Sequence, residues 1–187
     1  MNVIIFGPPG AGKGTQAINI VKKFNLYQVS TGNLLRNEVK NQTDIGKDIE
    51  NIISKGDFAT DEIVNELIKN IIFNKDKKNK LIFDGYPRSL SQAKNLDLLL
   101  DKSDQKIDFI FFLNVKKETI IKRIEKRKIL EKRSDDNFKT IIKRYDTYME
   151  TTKPVLEFYS KKHNFYEIDG SEKIDEISSK IEQILSV

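Results

Sequence analysis

The stretch MNVIIFGPPGAGKGTQ, residues Met1 to Gln16, determines the fold that we expect for this chain. Its apolar run from Val3 to Phe6 is rich in β-branched residues and too short for a helix, which predicts a buried strand. A turn with glycines and prolines follows, and a helix-compatible run starts near Lys13. A strand, a glycine-rich turn and a helix in this order predict a phosphate-binding loop, the P-loop.

The residue types of this turn fit the chemistry of phosphate binding. Glycines let backbone N–H groups curl around an anion, because no Cβ opposes positive φ. The helix N-terminus adds free N–H groups and partial positive charge, and Lys13 can reach the terminal phosphates. The alternative is a glycine-rich turn that binds no ligand. The spacing is unusual, because Gly14 separates Lys13 from Thr15, whereas the general pattern has Ser or Thr directly after the lysine.

Short apolar segments alternate with helical patterns along the rest of the chain. This alternation predicts right-handed βαβ crossovers and an α/β fold, a five-stranded parallel sheet with helices on both faces. We expect one domain over residues 1–187, without internal repeats, and an irregular polar segment at 128–136. The predicted strands are 3–6, 27–30, 80–84, 108–115 and 165–168, and the predicted helices are 13–24, 31–40, 46–55, 59–72, 89–100, 117–127, 138–148, 152–162 and 174–185.

The carboxyl ends of the predicted strands should form one site, because ligands of open parallel sheets bind there. The segments brought together are Gly7–Thr15, Ser30–Arg36, Asp84–Arg88 and the loop after Ile168. Asp84 ends an apolar strand, where a carboxylate can organise Mg²⁺ and its waters between phosphates. The alternative for Asp84 is an ordinary loop or helix-capping residue.

Arginine is the rarer cation of this chain, with six arginines among the 33 basic residues. Where arginine nonetheless occurs, its planar fork indicates bidentate phosphate contacts, and ordinary surface salt bridges are the alternative. Arg123 and Arg127 are four residues apart on one predicted helix, so they should point the same way. Together with Arg133 and Arg144, they are candidates for a phosphate clamp.

Composition restricts the class of protein. The net charge is +5, but the lysines are interleaved with acidic residues, which indicates solvated faces and no nucleic-acid partner. Cysteine is absent, which suits a reducing cytosol. No apolar run approaches the ~18 residues needed to cross a bilayer, and the P-loop already starts at Gly7. We therefore expect a cytoplasmic protein with no presequence and no membrane partner. We also expect a monomer.

Seven motifs, in order and spacing, resemble those of adenylate kinases: GPPGAGKGTQ, STGNLLR, KGDFAT, FDGYPRSLSQA, R-x3-R, RSDDN and KRYDTY. The resemblance covers nearly the whole chain. It implies a P-loop kinase core with a small AMP-binding insert at about 30–59 and a short lid at about 128–136. The implied reaction of nucleotide biosynthesis is reversible, Mg²⁺-dependent transfer of the γ-phosphoryl group of ATP to AMP, giving two ADP. The zinc-binding hairpin of longer lids is not expected, because the chain lacks the length and the cysteines for it.

The resemblance also implies roles for the residues that match the family motifs. The chain departs from the pattern in two ways: Asn33 stands where the family usually has Asp, and the lid lacks the usual glycines near Lys128 and Lys132. Asp84 would hold Mg²⁺ through water. The implied ATP contacts are Gly10, Ala11, Gly12, Lys13, Gly14, Thr15, Arg123, Arg127 and Glu172; the implied AMP contacts are Thr31, Arg36, Asp57, Phe58, Ala59, Gly85, Tyr86, Pro87, Arg88, Gln92, Arg133 and Arg144; and the implied catalytic residues are Lys13, Arg88, Arg127, Arg133 and Arg144.

Phosphoryl transfer to AMP needs no general base, because the attacking phosphate oxygen is already anionic. We therefore expect the single histidine, His163, to be a surface residue. Base choice is expected to rest on Thr31 and on Gln92, whose amide offers both a donor and an acceptor to adenine. Two alternatives stay open: a nucleoside monophosphate kinase for another base, and a P-loop protein that binds ATP as a switch or assembly factor, for example on RNA.

Overall fold

A computed structural model describes residues 1–54, 57, 59–131, 138–162 and 164–186 of the chain. In this part, five strands alternate with helices, and one 3₁₀ turn lies at Lys75–Lys77. The strands are β1 (Val3–Phe6), β2 (Tyr27–Ser30), β3 (Leu81–Asp84), β4 (Phe109–Asn114) and β5 (Phe165–Asp169). The helices are α1 (Lys13–Phe24), α2 (Thr31–Lys40), α3 (Asp44–Ser54), α4 (Asp61–Ile72), α5 (Leu90–Lys102), α6 (Lys117–Glu131), α7 (Phe138–Thr151), α8 (Lys153–Ser160) and α9 (Ile174–Leu185).

The strands form one parallel sheet in the order β2-β3-β1-β4-β5, which confirms the predicted α/β class. Successive side chains of a strand point to opposite faces, and β1 divides accordingly. Ile4 and Phe6 pack into one apolar cluster, while Val3 and Ile5 pack into a second. Helices therefore cover both faces of the sheet, as expected for a buried parallel sheet.

The register of the sheet places the functional segments at one edge. Asp84, at the end of β3, pairs with Ile5 of β1 on one side and with Ser30 of β2 on the other. Three segments consequently begin at the same edge of the sheet: the P-loop after β1, the start of α2 and the turn after β3. The convergence expected from sequence is observed at the carboxyl edge.

Several helix boundaries differ from those predicted. Helix α6 continues to Glu131, because residues 128–131 contain neither glycine nor proline, and lysine, leucine and glutamate have high helix propensity. Helix α3 begins at Asp44, and Gly46 lies inside it, where a Cβ would clash with the backbone of Glu38. Ser30 and Thr60 precede α2 and α4, but neither side chain makes a capping hydrogen bond.

Some expectations fall on residues outside the described ranges, among them the end of the predicted helix 46–55 near Gly56, the surface position of His163 and residues 132–136 of the lid. The boundaries of the insert and lid therefore stay predictions. Within the described residues, no helix is both long enough and apolar enough to cross a membrane.

Candidate active site

A cleft of about 830 Å³ opens at the carboxyl edge of the sheet, between the P-loop, helices α2, α6 and α7, and the turn after β3. Most of the site residues expected from sequence line it. They are Gly10, Ala11, Gly12, Lys13, Gly14, Thr15, Thr31, Arg36, Asp57, Ala59, Asp84, Gly85, Pro87, Arg88, Gln92, Arg123, Arg127, Arg144 and Glu172.

Three expected site residues are not among those that line the cleft. Phe58 and Arg133 lie outside the described residues. The side chain of Tyr86 is fully buried, and its hydroxyl donates to Oδ1 of Asn65 at 2.9 Å. Any contact of Tyr86 with a nucleotide would therefore have to come from its backbone.

The P-loop curls over the N-terminus of α1. Gly10 and Gly12 have φ values of 81° and 97°, in the left-handed region that disfavours residues with a Cβ. A Cβ on Gly10 would also lie 2.7 Å from Cγ1 of Ile124 on α6. Helix α1 begins at Lys13, so its free N–H groups face the cleft from the same turn. The loop has the backbone conformation that an anion site of this kind requires.

Lys13 folds back over the loop. Its Nζ donates to the carbonyl oxygens of Gly7 at 2.7 Å and Pro8 at 3.0 Å. The pKa of Lys13 is lowered to about 8, chiefly by burial; the charge of Asp84 opposes this shift, and those of Arg88 and Arg127 add to it. A phosphate anion at this position would favour the charged ammonium, so the site is suited to a polyanion.

Asp84 lies beside the P-loop. Nε2 of Gln28 donates to its Oδ2 at 3.1 Å, and a Cβ on Gly14 would lie 3.6 Å from that oxygen. Among the described residues, no group of three or more His, Cys, Asp or Glu side chains could hold a metal ion. A single carboxylate at this edge fits Mg²⁺, which keeps several waters and takes its other ligands from phosphates. Gln28 was not expected from sequence as a partner of this carboxylate.

Arginines form the opposite wall of the cleft. Nε of Arg88 donates to the carbonyl oxygen of Gly85 at 2.6 Å. The pKa of Arg88 is lowered to about 10, chiefly by burial, then by Arg144 and Arg36, while Asp84 acts against this. Positive charges that lower the pKa of Arg88 from neighbouring positions indicate a site for an anion, which would relieve the repulsion.

Asn33 orients one of the arginines of this wall. Its Oδ1 accepts a hydrogen bond from Arg36 at 2.6 Å. The carbonyl oxygen of the amide therefore still orients the Arg36 guanidinium, without adding a negative charge near the anion site. Thr31 is also tied to this wall, because its hydroxyl donates to the carbonyl oxygen of Gly85 at 2.9 Å.

Arg123 joins two loops on the P-loop side. Its guanidinium donates to the carbonyl oxygens of Gly170 at 2.7 Å and Ala11 at 3.3 Å. Arg127, one turn further along α6, also lines the cleft. The carboxylate of Glu172 accepts from Lys180 at 2.6 Å, so its side chain is already engaged and its backbone is the part expected to meet a nucleotide.

The AMP-side segments are connected to α7 and to α4. The hydroxyl of Thr152 donates to the carbonyl oxygen of Arg88 at 3.1 Å, and Lys143 forms an ion pair with Asp57 at 2.5 Å. Asp61, at the start of α4, accepts from Nε2 of Gln92 at 2.6 Å. The sequence analysis did not identify Asp61 as a site residue, because a contact across 31 positions leaves no local signal.

Comparisons with known proteins agree with this geometry. A family model described as "Adenylate kinase" matches residues 5–164. The adenylate kinase of Pelagibacter ubique is 52% identical, and the match covers 100% of both chains. That of Azobacteroides pseudotrichonymphae is 40% identical over 97% of this chain and 95% of the relative. That of Parabacteroides distasonis is 37% identical over 100% and 98%.

Proposed function

The chain belongs to the adenylate kinase family, and from that premise we propose that its cleft transfers the γ-phosphoryl group of ATP to AMP, reversibly, giving two ADP. One observation supports this activity most directly. A single cleft contains a P-loop lysine on one wall and the arginines 36, 88 and 144 on the other, with Asp84 between them. Two anionic nucleotides can be held there end to end.

The donor is ATP, bound on the P-loop side. The N–H groups from Gly10 to Thr15 surround its phosphates, and Lys13 exchanges its loop carbonyls for phosphate oxygens. Arg123 and Arg127 reach the donor from α6, with Arg127 on the transferred group. Asp84 would hold Mg²⁺ through water, and the ion would supply positive charge beside the donor phosphates.

The acceptor is AMP, bound on the arginine side. Arg36, Arg88 and Arg144 hold its phosphate, and Arg133 is expected to join them from the lid. Thr31, Gln92 and the backbones of 57–59 and 85–87 hold the nucleoside. An oxygen of the AMP phosphate then attacks the γ-phosphorus in line, and the surrounding cations stabilise the equatorial charge.

Water is the competing nucleophile in such a site. We expect the insert at about 30–59 and the lid at about 128–136 to close over the substrates and exclude it. The ion pair between Asp57 and Lys143 is a contact between insert and α7 that would form part of such closure. The protein is proposed to act in the cytoplasm as a monomer, with Mg²⁺ and without zinc.

A comparison of acceptors tests the proposal. Purified protein with ATP and Mg²⁺ is given AMP, CMP, UMP or GMP, and nucleoside diphosphates are separated and quantified. AMP is expected to be the fastest acceptor, with two ADP formed for each ATP consumed. If CMP reacted faster than AMP, CMP would be assigned as the acceptor. Tight retention of ATP without AMP-dependent ADP formation would favour a nucleotide-binding switch.

A further inference from the structure

The amide of Gln92 is held between two partners of opposite hydrogen-bonding character. Its Oε1 accepts from the backbone N–H of Arg88 at 2.8 Å, and its Nε2 donates to Oδ1 of Asp61 at 2.6 Å. A backbone N–H only donates, and an ionised carboxylate only accepts. Rotating the amide by 180° would place its N–H groups against the backbone N–H of Arg88 and its oxygen against the carboxylate of Asp61. These partners therefore permit one orientation of the amide.

Asp61 is itself fixed by the first turn of α5. Its Oδ2 accepts from the hydroxyl of Ser89 at 3.0 Å and from that of Ser91. Ser89 also caps α5 by accepting from the backbone N–H of Gln92 at 3.2 Å. The carboxylate therefore faces the amide from a position set by several independent contacts.

Gln92 lines the cleft, and its amide retains hydrogen-bonding capacity. A primary amide has two N–H groups and two acceptor lone pairs, so one of each remains after the contacts with Asp61 and Arg88. Adenine presents a lone pair at N1 and an amino donor at position 6, which complement that N–H and lone pair. Hypoxanthine and guanine present an N1–H donor and a 6-oxo acceptor, which oppose them.

We propose that Asp61 is a positioning residue that makes the acceptor site select 6-aminopurine over 6-oxopurine nucleotides, by fixing the orientation of the Gln92 amide. This inference rests on the proposed function, in which Gln92 meets the base of the acceptor. Opposed hydrogen-bonding groups at a buried contact cost a factor of about ten to one hundred in affinity, which is the discrimination that a fixed amide supplies.

The test compares AMP with inosine monophosphate (IMP), which has a 6-oxo group and an N1–H. Calorimetry gives Kd for both nucleotides, and steady-state kinetics with ATP give kcat and KM. In Asp61→Ala the amide loses its acceptor, so only the backbone N–H of Arg88 still favours the original orientation and the rotated amide becomes more populated. The AMP-to-IMP ratio of affinities is expected to fall about tenfold, through KM, with kcat for AMP within about threefold of wild type.

Two further variants separate positioning from structural effects. Asp61→Asn keeps an oxygen that can accept from Gln92 but loses the charge, so its ratio should lie between those of wild type and Asp61→Ala. Glu62→Ala removes a carboxylate from the same first turn of α4, where Glu62 is exposed, and is expected to leave the ratio unchanged. It controls for the loss of negative charge at a helix N-terminus.

A folded Asp61→Ala variant with the wild-type ratio would overturn the inference, as would an equal loss of discrimination in Glu62→Ala. If Asp61→Ala does not fold, Asp61→Asn decides, with an expected loss of about threefold and refutation by an unchanged ratio. Failure of the proposed function looks different. A wild-type protein that prefers AMP to IMP in calorimetry but forms no ADP would refute transfer, while the Kd ratios would still test Asp61.

Discussion

Replacing Lys13 by methionine removes the one cation that the P-loop itself supplies. Nζ of Lys13 lies 2.7 and 3.0 Å from carbonyl oxygens that phosphate oxygens would replace. Two unit charges about 4 Å apart attract by about 4 kcal/mol at an effective dielectric constant of about 20. Because each ~1.4 kcal/mol is a tenfold change in rate, kcat/KM for ADP formation is expected to fall about 10³-fold.

The fold should tolerate this substitution. The pKa of Lys13 is lowered from 10.5 to about 8 by burial, so at pH 7 the charged ammonium weakens folding by about 3 kcal/mol. This cost is present below pH 8 and disappears as the pH rises above 10.5, where the unfolded lysine also loses its proton. Methionine removes the cost and forfeits two hydrogen bonds worth about 1 kcal/mol each. The free energy of unfolding at pH 7 is therefore expected to equal or exceed that of wild type.

Urea denaturation and a coupled ADP assay on the same preparation measure both effects. Lys22→Met is the matched control, because Lys22 is exposed on the same helix and the change in net charge is identical. The control should retain wild-type turnover. A folded Lys13→Met protein with turnover within tenfold of wild type would refute the role of Lys13, and so would an equal loss in Lys22→Met.

Three further predictions follow from the same geometry. Above pH 8, kcat/KM for ATP should fall about tenfold per pH unit, because Lys13 of the free enzyme loses its proton; a flat profile to pH 9.5 would contradict this. Asp84→Asn should raise the Mg²⁺ concentration for half-maximal rate about tenfold, since the water-mediated contact loses its charge, and an unchanged Mg²⁺ titration would refute the assignment. Gly10→Ala should weaken ATP binding in calorimetry by at least about tenfold, because residue 10 has a left-handed backbone conformation and the added Cβ would lie 2.7 Å from Ile124. Wild-type affinity would contradict this prediction and show that the loop adapts.

Much of the fold could be predicted from sequence, because the three central strands β1, β3 and β4 are short and almost wholly apolar. Such runs are typical of strands that are buried on both faces of a parallel sheet. Boundaries were less predictable. The polar residues after Arg127 were interpreted as irregular, yet α6 continues to Glu131, since helix formation depends on backbone propensity as well as on an apolar stripe. Gly46 was interpreted as a helix start, but it marks a close approach of α3 to α2.

The candidate site was predictable where it depends on motifs that each occupy one short segment. The P-loop and the turn after β3 each bring their own residues to the cleft. Contacts between distant segments could not be predicted in this way. The hydrogen bonds of Gln28 to Asp84 and of Gln92 to Asp61 join residues 56 and 31 positions apart. Such pairs depend on packing and register, which a single sequence does not display.

The fate of the γ-phosphoryl group tests the central claim, that two nucleotides meet end to end in one cleft. The protein is incubated with ATP labelled at the γ-phosphate, unlabelled AMP and Mg²⁺, and the products are separated at early times. Direct transfer predicts that the label appears as the β-phosphate of ADP formed from AMP, with little label in inorganic phosphate. Label released as inorganic phosphate at a rate independent of AMP would contradict the account.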